Sequence, residues 1–135
     1  MPLKESGLAD PILYLFEATK VMVPVITGFL VLFGGSIARV WERAPLQEWK
    51  PVQRRSAMFA VLLGLMSLGL WTGTMAFCIR ASAGTNASDL QIFGPFDPAL
   101  NLRLGRYCAA TGHVSFLIAV IAACAFYWKT ANASR

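Results

Sequence analysis

Three long apolar runs without an Asp, Glu, Lys or Arg divide the chain: Val21 to Ala38, Met58 to Ile79 and Tyr107 to Trp128. Each is about 20 residues, the length a helix rising 1.5 Å per residue needs to cross a hydrocarbon core about 30 Å thick. Within each run the apolar positions go all the way round rather than along one stripe, so a helix here has no polar face for water. The pattern predicts an all-α integral membrane protein, a single membrane domain over residues 1–135. Its expected elements are three transmembrane helices and a short N-terminal interfacial helix.

The flanks set the expected boundaries. Asp10-Pro11 has the form of a helix start, with an acidic cap and Pro at the first helical position. Residues 1–20 therefore read as an N-terminal segment in which Pro11 to Lys20 forms a short interfacial helix or the first turns of a long helix running into the membrane, with Tyr14 and Lys20 suited to the headgroup level. The first span is expected over 21–40, with Pro24 one turn in and able to kink it or set it apart from the interfacial part. A polar loop over 42–56 follows, broken by Pro45 and Pro51 and bracketed by Trp41 and Trp49 as interface anchors. The second span covers 57–79. Residues 81–106 form an interfacial connection interrupted by Gly94, Pro95 and Pro98, with Ala99 to Arg106 able to open the third helix. The third span covers 107–128, and a tail occupies 129–135. No internal repeat or low-complexity tract is present.

Composition agrees. Charged residues are only 14% of the chain and hydrophobic residues 56%, whereas a soluble domain carries about 25% charged residues. The net charge of +5 does not point to nucleic acid, because the basic residues flank the apolar runs, where they anchor helices at headgroups. Arg39, Arg43, Lys50, Arg54, Arg55, Lys129 and Arg135 fall on one side of a three-span chain; Lys4, Lys20, Arg80, Arg103 and Arg106 fall on the other. The excess favours an N-terminus outside and a C-terminus inside. Glu5, Asp10 and Glu17 precede the first run, which is unlike a cleaved signal or a mitochondrial transit peptide. Asn86-Ala-Ser88 and Asn132-Ala-Ser134 match the glycosylation sequon, a motif frequent by chance.

Few residues carry chemistry. His113, the single histidine, lies inside the third span, and an ionisable group in a membrane helix is a functional candidate by default. It could bind haem or a quinone only together with a partner; otherwise it bonds to Thr111, Ser115 or a backbone carbonyl at a helix interface. Cys78 ends the second span and Cys108 opens the third, which makes a disulfide between them a candidate on an oxidising side. Cys124 reads as a packing residue. Gly64, Gly69 and Gly73 supply packing faces on the second span, Gly69 and Gly73 as a small-xxx-small pair. No hydrolytic triad, phosphate loop, metal-ligand spacing or carboxylate lies in any span, so no catalytic residue, metal or resident cofactor is expected. The expected role is non-enzymatic: an accessory or anchoring subunit whose partners are other membrane protein subunits and the lipid bilayer. A redox-linked subunit contributing His113 is the alternative.

Overall fold

The computed structural model describes residues 9–82 and 98–133, and these form three long helices. α1 spans Ala9–Arg43, α2 Pro51–Ser82 and α3 Pro98–Ala133, with a 3-10 turn at Leu46–Glu48 between the first two. All three are long and apolar enough to cross a membrane. Each outruns the uncharged run that marks it, because an α-helix keeps its backbone hydrogen bonds through the charged flank.

The structure sets three boundaries that the sequence left open or placed elsewhere. Pro11–Lys20 is not a separate helix but the first turns of α1, which continues through Pro24. Packing explains the continuity: Ile12 and Leu15 join Ile26, Trp71, Cys78 and Leu102 in one buried cluster, with Thr19 also fully buried between them on α1. The polar loop shrinks to residues 44–50, since α2 begins at Pro51, where a missing N–H costs nothing. The side-chain carbonyl of Gln53 accepts the N–H of Lys50 at 3.0 Å, half of a capping box. Pro98 to Arg106 already belongs to α3; the remainder of the 81–106 connection from residue 83 to 97 lies outside the described residues, as does Asn86.

α2 and α3 run antiparallel in a register fixed by three polar contacts. Gln53 Nε2 donates to Thr130 Oγ1 at 3.3 Å, Ser67 Oγ to the Gly112 carbonyl at 2.6 Å, and Thr74 Oγ1 to the Gly105 carbonyl at 3.3 Å. The buried positions of α2 are Gln53, Ala57, Ala60, Gly64, Ser67, Trp71, Thr74, Cys78 and Ala81, spaced alternately by four and three. On α3 the same alternation runs through Leu102, Gly105, Ala109 and Gly112, and again through Ala119, Ala123 and Phe126. On α1 it runs through Ile12, Leu15 and Thr19 and returns at Ile26 and Phe33. This mean repeat of 3.5 is that of left-handed knobs-into-holes packing.

What fills those seams is small. Ala, Gly, Ser, Thr and Cys dominate the α2–α3 contact, and large apolar side chains point outward: Val31 is 68% exposed, Leu32 75% and Ile121 68%. A water-soluble bundle places its large apolar residues inside. Small residues let two backbones approach, and the attraction is then dispersion and interhelical hydrogen bonding rather than apolar burial. Of the glycines between α2 and α3, Gly112 sits tighter than Gly105. A Cβ there would stand 3.1 Å from Trp71 Cδ1 and 3.2 Å from Leu70 Cβ.

Toward its C-terminal end α1 packs through aromatic side chains. Phe33 is almost fully buried, its ring centroid 5.7 Å from Phe29, 5.6 Å from Phe126 and 5.8 Å from Tyr127. Tyr127 donates its hydroxyl to Ser36 Oγ at 2.7 Å, tying α3 to α1. Trp49 is turned inward rather than left at the surface: it packs on Phe126 and donates its indole N–H to the Ala44 carbonyl at 2.9 Å. Trp41 is exposed.

Gly112→Leu should therefore lower stability by about 1–3 kcal/mol through overpacking against Trp71. Gly69→Leu, where no atom lies within 4 Å of a built Cβ, should leave stability nearly unchanged. Thermal unfolding of the two variants in detergent micelles checks the contrast.

Candidate functional site

The residues singled out by sequence do not gather into one site. Gly64 packs inside the bundle, where a Cβ would meet Leu30 Cδ2 at 2.7 Å and Phe29 at 3.5 Å. Gly69 and Gly73 have nothing within 4 Å and open onto the outer face of α2. The helices' own close contacts use Gly64, Gly105 and Gly112 instead.

Cys78 and Cys108 are both free. With Thr74 against Gly105 and Ser67 against Gly112, Cys78 stands level with Asn101, and Cys108 level with Trp71. The two cysteines are thus about two turns, or about 10 Å, apart along the helix axes, beyond the 4.4–6.8 Å Cα separation of a bridge. Cys124 is exposed on the outer surface rather than packed.

His113 is exposed and makes no hydrogen bond among the described residues; Ser115 Oγ donates instead to the Thr111 carbonyl at 2.8 Å. The imidazole lines an open groove between the first half of α1 and α3. Its floor is Trp71 of α2, and Tyr14 and Ala18 of α1 form the facing wall. Two adjoining hollows make up the groove, of about 420 and 450 Å³ and sharing those four residues. One extends past Glu17 to Val21 and Met22; the other passes Ala109 and Ala110 to Val114. Each falls within the size range of small-ligand pockets, about 300–1,000 Å³.

Local sequence explains the groove. Gly112 leaves room for the Trp71 indole to reach the α3 backbone, and Ala18, Ala109 and Ala110 keep the walls shallow. Trp71 is 5% exposed, and its Nε1–H is the one buried side-chain polar atom among the described residues with no hydrogen-bond partner. A buried donor left unmade costs about 1–3 kcal/mol. Glu17, at the mouth, is held by Lys20 through a 2.7 Å contact between exposed side chains, which contributes little to stability.

The other hollows differ. One of about 510 Å³ beside Val40, Trp49, Gln53 and Tyr127 has its indole and amide already bonded, to Ala44 and Thr130. Another of about 580 Å³ is a shallow apolar furrow beside Phe59, Leu63, Ile118 and Ala122. Among the described residues no three of His, Cys, Asp and Glu converge as metal ligands would. Sequence reasoning found His113 but missed Trp71, Tyr14 and Gly112. The available signal was a Trp in the middle of an uncharged run, away from the interfaces where its N–H is usually wet.

Trp71→Phe removes an N–H that makes no bond, so it should cost much less than Trp71→Ala, for which about 3–5 kcal/mol is expected from the cavity. Ser67→Ala, which deletes a made interhelical bond, should cost about 0.6–1 kcal/mol. Unfolding in mixed micelles orders the three. No family model, no curated protein and no solved structure matches this chain.

Proposed function

We propose that the chain is a multi-pass membrane protein acting as an accessory, anchoring subunit of a larger membrane complex, without catalysis of its own. One observation carries the reading: Gly28, Gly34 and Gly35 on α1 and Gly69 and Gly73 on α2 have no atom within 4 Å of a built Cβ. They leave flat strips on a bundle whose internal seams are already formed by other residues. Such strips admit a second helix closely. The apolar window of α1 is only 11% buried inside the chain, so most of its surface is left for lipid or neighbouring subunits. In this reading the N-terminus is outside and the C-terminus inside, and the first turns of α1, with Tyr14, Glu17 and Lys20, lie at the headgroup level as an interfacial extension of the span.

A second reading, a redox-linked subunit lending His113 to a haem or quinone site shared with a partner, is favoured by the outward, unbonded imidazole. A visible spectrum of the purified complex with His113-dependent haem bands would support its haem form; their absence would remove that form.

The subunit reading predicts that wild-type protein, extracted in mild detergent, migrates on native gels in an assembly much larger than its 14.7 kDa mass. Gly69→Leu/Gly73→Leu should release a folded monomer with unchanged helicity by circular dichroism. Wild-type protein running as a monomer, or the double variant retained in the assembly, contradicts the reading.

A further inference from the structure

We infer that the groove between α1 and α3 over Trp71 binds a neutral, lipid-soluble molecule bearing a carbonyl acceptor, with His113 as its hydrogen-bond donor. The inference deepens the second reading, because it uses the same histidine, and it is independent of the subunit role. It narrows that reading to a ligand held by this chain's own residues.

Polarity along the groove gives the shape of the ligand. Tyr14 and Glu17 mark its mouth, near the charged end of α1. Ala18, Val21, Met22 and Val114 line its apolar reach toward the middle of the spans. His113 sits where the two hollows join. A molecule occupying it therefore needs a small polar head and an apolar body, entering from the lipid side.

Charge and hydrogen bonding give the head. A phosphate or carboxylate head would meet the Glu17 carboxylate, and among the described residues the cation that contacts it, Lys20, is already paired with it at 2.7 Å. A cationic head would find Glu17 engaged in that same pair. Among the described residues, the groove's polar groups without a bond are the Tyr14 hydroxyl at its mouth, the His113 imidazole and the indole N–H beneath it; the hydroxyl can donate to the same head. A neutral imidazole offers one N–H donor and one acceptor nitrogen, whereas the indole is a donor only, so the head group complementary to both is an uncharged acceptor oxygen. Trp71 Nε1 is covered in this structure, so His113 makes the first bond, and the indole is satisfied only if the ligand displaces it from Gly112. Quinone rings and acyl esters of glycerol share this chemistry: a carbonyl oxygen on an apolar body.

Photo-crosslinking of the full chain in nanodiscs with a diazirine-bearing decyl benzoquinone tests the inference. Adducts should concentrate on the peptides containing Tyr14 to Met22 and Ala109 to Val114. Excess unlabelled decyl benzoquinone should compete them away. A monoacylglycerol competing equally would identify the acyl-ester source, and its failure to compete the quinone source; either supports a carbonyl-bearing ligand. His113→Ala should weaken apparent affinity about threefold to tenfold, the worth of one hydrogen bond. His113→Gln, which keeps a donor, should recover most of it. Ala110→Leu, which narrows the groove from an exposed position, should reduce labelling without changing the melting temperature. Adducts spread evenly over the lipid-facing surface, labelling that nothing competes, or labelling equal in His113→Ala overturns the inference. Haem bands that depend on His113, with no competed labelling, would overturn this ligand while leaving the second reading in place.

Discussion

A peptide N–H in hydrocarbon has no water to bond, and each unsatisfied group there costs several kcal/mol. Three uncharged runs of about 20 residues must therefore hide their backbones inside themselves, and in a single chain of this size helices do so. In the multi-pass membrane reading, lipid removes the usual reward for burying large apolar side chains once the helices are fixed. Close backbone approach, dispersion and a few interhelical hydrogen bonds take over. Gly105, Gly112, Ala109, Ala119 and Ala123 on one helix facing Ala57, Ala60, Ser67 and Thr74 on the other follow from that reversal.

The same reversal explains which parts of the structure were legible in the sequence. The number and place of the helices could be read, because they depend on the lack of charge over a given length. The seams could not be read from hydrophobicity. Between α2 and α3 most of their residues are small and only weakly hydrophobic, so large apolar side chains mark the outside and an apolar periodicity gives the wrong face; α1, with Ile12, Leu15, Ile26 and Phe33 turned inward, is the exception. Only the alternating spacing of small residues, such as Ala57, Ala60, Gly64 and Ser67, carries the inward stripe. The Gly69–Gly73 pair has the more familiar spacing, yet it faces outward, since Trp71 and Thr74 take the inner positions of that turn. Spacing alone does not tell which of two small-residue stripes meets the chain's own helices.

The candidate site was half legible for a related reason. His113 stands out by type, the one imidazole in an uncharged run. The rest of the groove is a consequence of register. Ser67 bonding to the Gly112 carbonyl sets α2 against α3, which brings Trp71 beneath His113. The early turns of α1 lie across the same level through Leu15 and Ala18. No local pattern announces a contact between residues 14, 71 and 113, because it depends on how three separately stable helices dock. The separation of Cys78 from Cys108 follows from the same register, since places at the ends of two adjacent runs do not mean equal depth in the bundle.

The central claim is that the large apolar side chains face lipid and the small ones face one another. Spin labels placed singly at Leu32, Ile121, Ala60 and Ala119 in reconstituted bilayers test it most directly. Labels at Leu32 and Ile121 should relax strongly with dissolved oxygen and weakly with an aqueous nickel chelate, and labels at Ala60 and Ala119 should respond little to either. Strong relaxation of the Leu32 and Ile121 labels by the nickel chelate would place those faces in water and contradict the account.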